Sequence, residues 1–161
     1  ARAAARRHRD LTAPHVGTVD RMSVVGGCIF CGIVAGELPS TTIAETERAI
    51  AFMDINPATP GHALVVPRAH ANDLLDVSAE DLAACSELAQ DIAGRVKDRL
   101  GADGVNLLNC CGVAAWQSVF HFHLHVIPRY QGQPDKDSAR LPWIPRPGDP
   151  DEIARIGTHL R

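Results

Sequence analysis

His121, His123 and His125 alternate along Ser118-Val-Phe-His-Phe-His-Leu-His-Val-Ile-Pro128. A period of two is the period of a β-strand, so a strand over 118–128 sends all three imidazoles to one face. Phe120, Phe122, Leu124 and Val126 then share the other face and can anchor the strand in a core. Imidazole titrates nearer neutrality than any other side chain, so such a face can supply a base, an acid, a nucleophile or a ligand. From the spacing alone three readings stand: idle surface histidines, a transition-metal chelate, or a nucleophilic histidine flanked by helpers.

A second set of reactive side chains lies upstream. Cys28-Ile-Phe-Cys31 is a cysteine pair at zinc-ligand spacing, and His70 follows in Arg68-Ala-His70. A CxxC with later histidines is a tetrahedral metal donor set. The competing readings are a redox pair, which would need a βαβ setting that this sequence lacks, and two ordinary helix cysteines. Cys85 belongs to a helical apolar stripe, and Cys110-Cys111 are small loop residues next to Asn109.

The elements that must position these groups are readable. Cys28–Ala35 suits a short helix stopped by Gly36 and Pro39. Thr42–Glu47 and Ala49–Asp54 read as strands meeting at Glu47-Arg48. Asn56-Pro-Ala-Thr-Pro-Gly61 is a loop, and His62–Pro67 a buried strand. The spacing of Leu82, Cys85, Leu88, Ala89, Ile92, Val96 and Leu100 predicts a long helix from about Ala79 to Leu100, capped by Ser78 and ended by Gly101. Val105–Asn109 is the next strand, and Asp149-Pro150 can open a last short helix. Strands joined by short turns with one long helix give an α+β domain on an antiparallel sheet.

At 161 residues, 45% of them hydrophobic, the chain suits one domain with an aliphatic core. Net charge is −3, which gives no hint of a nucleic-acid partner, and the five arginines against two aspartates over residues 1–21 are read as part of an extension rather than as a transit peptide or nucleic-acid arm. No apolar run approaches the roughly 20 residues of a membrane helix. Residues 1–27 hold no signal-length apolar stretch and are expected to be a disordered extension before a single domain over 28–161. Its proline-rich C-terminal tail starts from about 131. Five cysteines in this arrangement do not form a secreted disulfide framework, so the expected location is cytoplasmic.

His121-Phe-His123-Leu-His125-Val-Ile127, with Gln117-Ser118, Asn109, Phe52-Met-Asp54-Ile-x-Pro57 and Gly61-His62, resembles the histidine triad (HIT) superfamily of nucleotide hydrolases and transferases. The likeness spans about Cys28 to Tyr130, and Ile127-Pro-Arg-Tyr130 is similar to its bacterial-type members. It implies an antiparallel sheet of about five strands with one long helix and short terminal helices, in a homodimer. It also implies attack by the central histidine, His123, on an α-phosphorus to give a nucleotidyl-histidine intermediate.

On this resemblance His125 donates to the phosphoryl group, and His62 holds the nucleophile in its productive tautomer. Gln117, Ser118 and Asn109 donate to phosphate oxygens, Asp54 binds the ribose, and Phe52, Ile55 and Ile33 wall the purine. The metal set would be Cys28, Cys31, His70 and His121, a closed and therefore structural zinc site, with no metal needed for the chemistry. Substrates would be purine nucleoside monophosphates with a leaving group on phosphorus, such as adenosine phosphoramidates or dinucleoside polyphosphates. Phosphorolysis, a non-catalytic nucleotide-binding module and a metalloenzyme using the three histidines directly are the competing functions. Ala115-Trp116 precedes Gln117 where some branches carry glycine, which leaves the leaving-group preference open.

Overall fold

The computed structural model describes residues 27–137 and 147–161. The expected extension over 1–27, apart from Gly27, and part of the expected tail lie outside them. Elements in chain order are α1 (Ile29–Val34), β1 (Thr42–Glu45), β2 (Ala49–Met53), β3 (Ala63–Pro67), α2 (Ala79–Leu100), β4 (Gly104–Leu108), β5 (Leu124–Arg129) and α3 (Pro150–His159). The strands form one antiparallel sheet in the order β1-β2-β3-β5-β4.

Alternation within the strands divides the sheet into two environments. Ala49, Ala51, Ala63, Val65, Leu124 and Val126 face α2 and pack with its Cys85, Leu88, Ala89, Ile92 and Val96 stripe. The alanines leave room for the helix to settle close to the sheet. Ile50, Phe52, Leu64 and Val66 point the other way and are covered by Phe30 of α1. Helix α2 starts where Ser78 Oγ accepts from the Asp81 N–H, and ends at Gly101 in the left-handed region. At α3, Asp149 accepts from the Asp151 N–H, and Pro150 takes the first turn.

The strand carrying the histidines is shorter than its alternation predicts. The β3–β5 register pairs Val65 with Leu124, which brings Pro67 level with Phe122. Pro67 has no N–H to give, and its carbonyl accepts instead from His121 Nε2 at 2.9 Å, so the ladder stops. The Phe122 N–H turns to the Ala71 carbonyl at 2.7 Å. Phe122, Leu124 and Val126 are core, as the pattern predicts, but Phe120 lies before the ordered pairing and is 48% exposed.

Candidate active site and adjoining metal cluster

His125 lies opposite Leu64 on the sheet face away from α2, and His123 precedes it in the same extended chain. The loop 54–62 brings His62 to them. Thr59 Oγ1 donates to the Pro128 carbonyl at 2.7 Å and Tyr130 Oη to the Pro60 carbonyl at 2.8 Å, tying the loop to the end of β5. Gly61 has φ +88°, and a Cβ there would meet Leu100 Cδ1 at 2.5 Å, so only glycine lets the chain turn into His62.

The hydrogen bonds decide which ring nitrogens carry protons. A backbone carbonyl can only accept, so His123 Nδ1, 2.7 Å from the His121 carbonyl, must hold its hydrogen. His123 Nε2 is then an unprotonated lone pair. The Ala58 N–H donates to His62 Nδ1 at 3.0 Å, so the His62 proton sits on Nε2. That Nε2 faces His125 Nδ1 at 3.0 Å, which must accept, leaving the His125 proton on Nε2.

Burial pushes all three below the ordinary imidazole value. His125 falls to about 4, by burial first and then by the neighbouring His123 and His62 rings, with Asp54 opposing. Neutral rings are the form in which this proton pattern holds. His62 was expected to steady the nucleophile. It reaches His125 instead, and the His121 carbonyl fixes the tautomer of His123.

His123 and His125 open onto a cleft of about 230 Å³. Ile33, Phe52, Asp54, Ile55 and Ser118 line it. Asp54 Oδ1 accepts from the Asn56 N–H at 2.7 Å, and Oδ2 lies 3.6 Å from His62 Nε2. Phe52 is buried, whereas Ile55 is 90% exposed at the rim.

Phe30, which the sequence reading passed over, stands edge-on to His123 at 5.3 Å and to Phe52 at 5.5 Å between centroids. Its place between the two cysteines was the available signal. Of the expected phosphate donors, the Gln117 amide is fully engaged, whereas that of Asn109 has one N–H to spare. Gln117 Oε1 accepts from the Gly112 N–H, and its Nε2 donates to the Asn72 and Val119 carbonyls, so its amide clamps the loop that presents Ser118. Asn109 Nδ2 donates one hydrogen to the His123 carbonyl at 3.0 Å, while its buried Oδ1 has no partner among the described residues.

Cys28, Cys31, His70 and His121 converge, with donor atoms within 4.8 Å of one another. His121 donates its Nε2 hydrogen to Pro67, so the lone pair on Nδ1 points at Cys28 and Cys31 Sγ, 3.5 Å from each. His70 Nδ1 is 3.2 Å from Cys31 Sγ. A tetrahedral zinc with Zn–S near 2.3 Å and Zn–N near 2.0 Å puts nitrogen and sulfur about 3.5 Å apart. The donor set therefore fits zinc, and a ligand histidine whose other N–H meets a carbonyl is the usual outer arrangement. Without a cation, burial and then the Cys28 thiol push Cys31 up to about 11; coordination removes that penalty by deprotonating the thiol.

Asp54, His62 and His125 also gather three donor atoms. Ligation through His62 Nε2 would move its proton to Nδ1, head-on to the Ala58 N–H. That backbone donor opposes a metal here and favours the hydrogen bond from His62 to His125.

A HIT-domain family model matches residues 35–132. The chain belongs to the HIT family. The family is one of nucleotide-binding proteins and, in general, of nucleotide hydrolases and transferases. This HIT protein is 36% identical to the adenosine 5′-monophosphoramidase of Schizosaccharomyces pombe over 134 residues, 83% of this chain and 95% of the relative. A HIT-family crystal structure from Bacillus subtilis superposes with TM-score 0.75 at 35% identity, covering 83% of this chain and 94% of that one. A zinc-bound histidine triad family protein from Mycobacterium smegmatis superposes at 0.65 with 39% identity, covering 82% and 96%. The five-stranded antiparallel sheet with one long helix is thus the HIT fold. No helix among the described residues is long and apolar enough to cross a membrane.

Proposed function

We propose that this HIT protein cleaves purine nucleoside monophosphate derivatives at the α-phosphorus through a nucleotidyl-His123 intermediate, with adenosine phosphoramidates as the reference substrates. The observation that carries the reading is the pair of opposite tautomers. His123 offers a lone pair from Nε2, and His125 offers an N–H from Nε2, into one cleft.

In the first half-reaction His123 Nε2 bonds to phosphorus. The P–N bond breaks with its electron pair on the amine, which takes a proton from solvent. His125 Nε2–H and Ser118 donate to the oxygens that gain charge, a contribution of roughly 3 kcal/mol for a well-placed donor. Water then adds to phosphorus, the P–Nε2 pair returns to the ring, and AMP leaves with the surplus proton going to solvent. Asp54 accepts from the ribose hydroxyls, and Phe52, Ile33 and Phe30 wall the base. Gln117 acts by holding Ser118, and Asn109 holds the His123 backbone with one N–H and offers the other to a phosphate oxygen.

Cys28, Cys31, His70 and His121 would hold a zinc ion whose closed shell ties α1 to the catalytic segment. It would supply cohesion rather than Lewis acidity. A homodimer would use the free edge of β4, where Leu107 is 54% exposed beside a groove against Ala89 and Ala93 of α2. Free thiols at all five cysteines support a cytoplasmic location.

The test is AMP release from adenosine 5′-phosphoramidate by the wild type and a folded His123→Ala variant. Turnover is expected to vanish in the variant. Equal turnover in both would sink the covalent mechanism. AMP binding without turnover in the wild type would point to phosphorolysis of dinucleotides or to a binding module.

A further inference from the structure

Phe120 is the side chain whose placement departs most from its pattern. Instead of entering the core it stands 48% exposed, and Ile29 across from it is 46% exposed. The two flank a groove of about 420 Å³ completed by Cys28, His70, Ser118 and Val119. Ile29, Ser118 and Val119 line the catalytic cleft as well, so the groove begins at the wall where the cleft ends. A nucleoside seated against Phe52 and Asp54 fills the cleft side of Ser118. The departing group has the groove side left to it.

The groove's chemistry narrows what that group can be. No lysine or arginine is among the described residues lining either space, so the extra phosphates of a polyphosphate would meet no fixed cation there. The cluster at its base is neutral when a divalent ion is balanced by two thiolates. Ile29, Val119 and the Phe120 ring present apolar surface, and an aromatic ring gains most from meeting another.

We propose that this groove is the leaving-group compartment and that Phe120 selects amines carrying an aromatic ring. The inference rests on the nucleotidyl transfer proposed above. As His123 Nε2 bonds to phosphorus, the P–N electron pair passes to the amine nitrogen. The amine gains one proton from solvent and leaves along the groove.

The experiment compares kcat/KM for two adenosine 5′-phosphoramidates, of 2-phenylethylamine and of ethylamine, using the full chain. The wild type should prefer the aromatic substrate by roughly 5- to 50-fold, the range set by ring contact plus burial of the ring. Phe120→Ala should lower that ratio by roughly 3- to 10-fold, leaving what Ile29 and Val119 contribute, and Phe120→Tyr should retain most of it; both substitutions are at an exposed position outside the core, and the ratio cancels any general loss of activity. A wild-type ratio near one, or a ratio that survives Phe120→Ala while both substrates yield AMP, overturns the compartment and leaves the nucleotidyl transfer standing. Failure of the wild type to release AMP from either substrate overturns both.

Discussion

His62→Leu should slow AMP release without affecting the nucleophile directly, and a double-mutant cycle can show this. His62 bonds to the Ala58 N–H and to His125 Nδ1, and it touches His123 through neither. Leucine fills a similar volume but strands both partners. At roughly 1 to 2 kcal/mol for each partly buried group left unsatisfied, the loss of stability should be about 2–4 kcal/mol.

In the rate, His125 loses the neighbour that keeps its proton on Nε2. Complete loss of a charge-stabilising donor costs about 10²- to 10³-fold, so a disordered tautomer should cost about 10- to 100-fold in kcat. That corresponds to roughly 1.4–2.7 kcal/mol, well above the ~0.5 kcal/mol scatter of independent sites. In a His125→Ala background the His62 hydrogen bond has no recipient, and His62→Leu should change kcat less than about twofold. The assay is AMP release from adenosine 5′-phosphoramidate at saturating substrate below the unfolding transition of each variant. If His62→Leu costs the same factor in both backgrounds, His62 acts independently of His125 and its role in setting the His125 tautomer is refuted.

Two further outcomes follow from the same geometry. His125 stays neutral down to about 4, whereas an unfolded chain protonates it near 6.5, so its contribution to stability is full above about pH 6.5 and is lost as pH falls toward 4. The acid limb of kcat should accordingly lie below the ordinary imidazole value; a limb at or above pH 6.5 would contradict the assignment. Chelation should lower Tm far more than it lowers kcat of the protein that remains folded. Zinc at a thousandfold over its Kd contributes about 4 kcal/mol, or roughly 8–16 °C in a chain of this size. An unchanged Tm, or lost catalysis in a fully folded metal-free protein, would contradict a structural role.

Most of the scaffold is written in local chemistry. Ser78 and Gly101 bracket α2 at the residues where the helix begins and ends, and its apolar stripe faces the sheet as its spacing requires. The donors of the metal cluster could be gathered by residue type and resemblance. What escaped depends on contacts between distant segments. The start of β5 is set by Pro67, a residue of another strand, and that in turn releases Phe120 from the core. The partner of His62 is set by how Thr59 and Tyr130 fasten its loop to β5. Gln117 reads as a substrate donor until the carbonyls of Asn72 and Val119 are seen to occupy its amide.

Helix α1 is six residues long, and it carries both thiols' immediate neighbours and the ring of Phe30. That ring leans on His121, on His123 and on Phe52 at once. Whatever occupies the thiol cluster and whatever occupies the cleft therefore draw on the same small helix. Thermodynamic reciprocity then applies: the factor by which a nucleotide tightens the metal is the factor by which the metal tightens the nucleotide. If zinc occupies the cluster, its binding and that of a nucleotide would meet at one turn and a half of backbone.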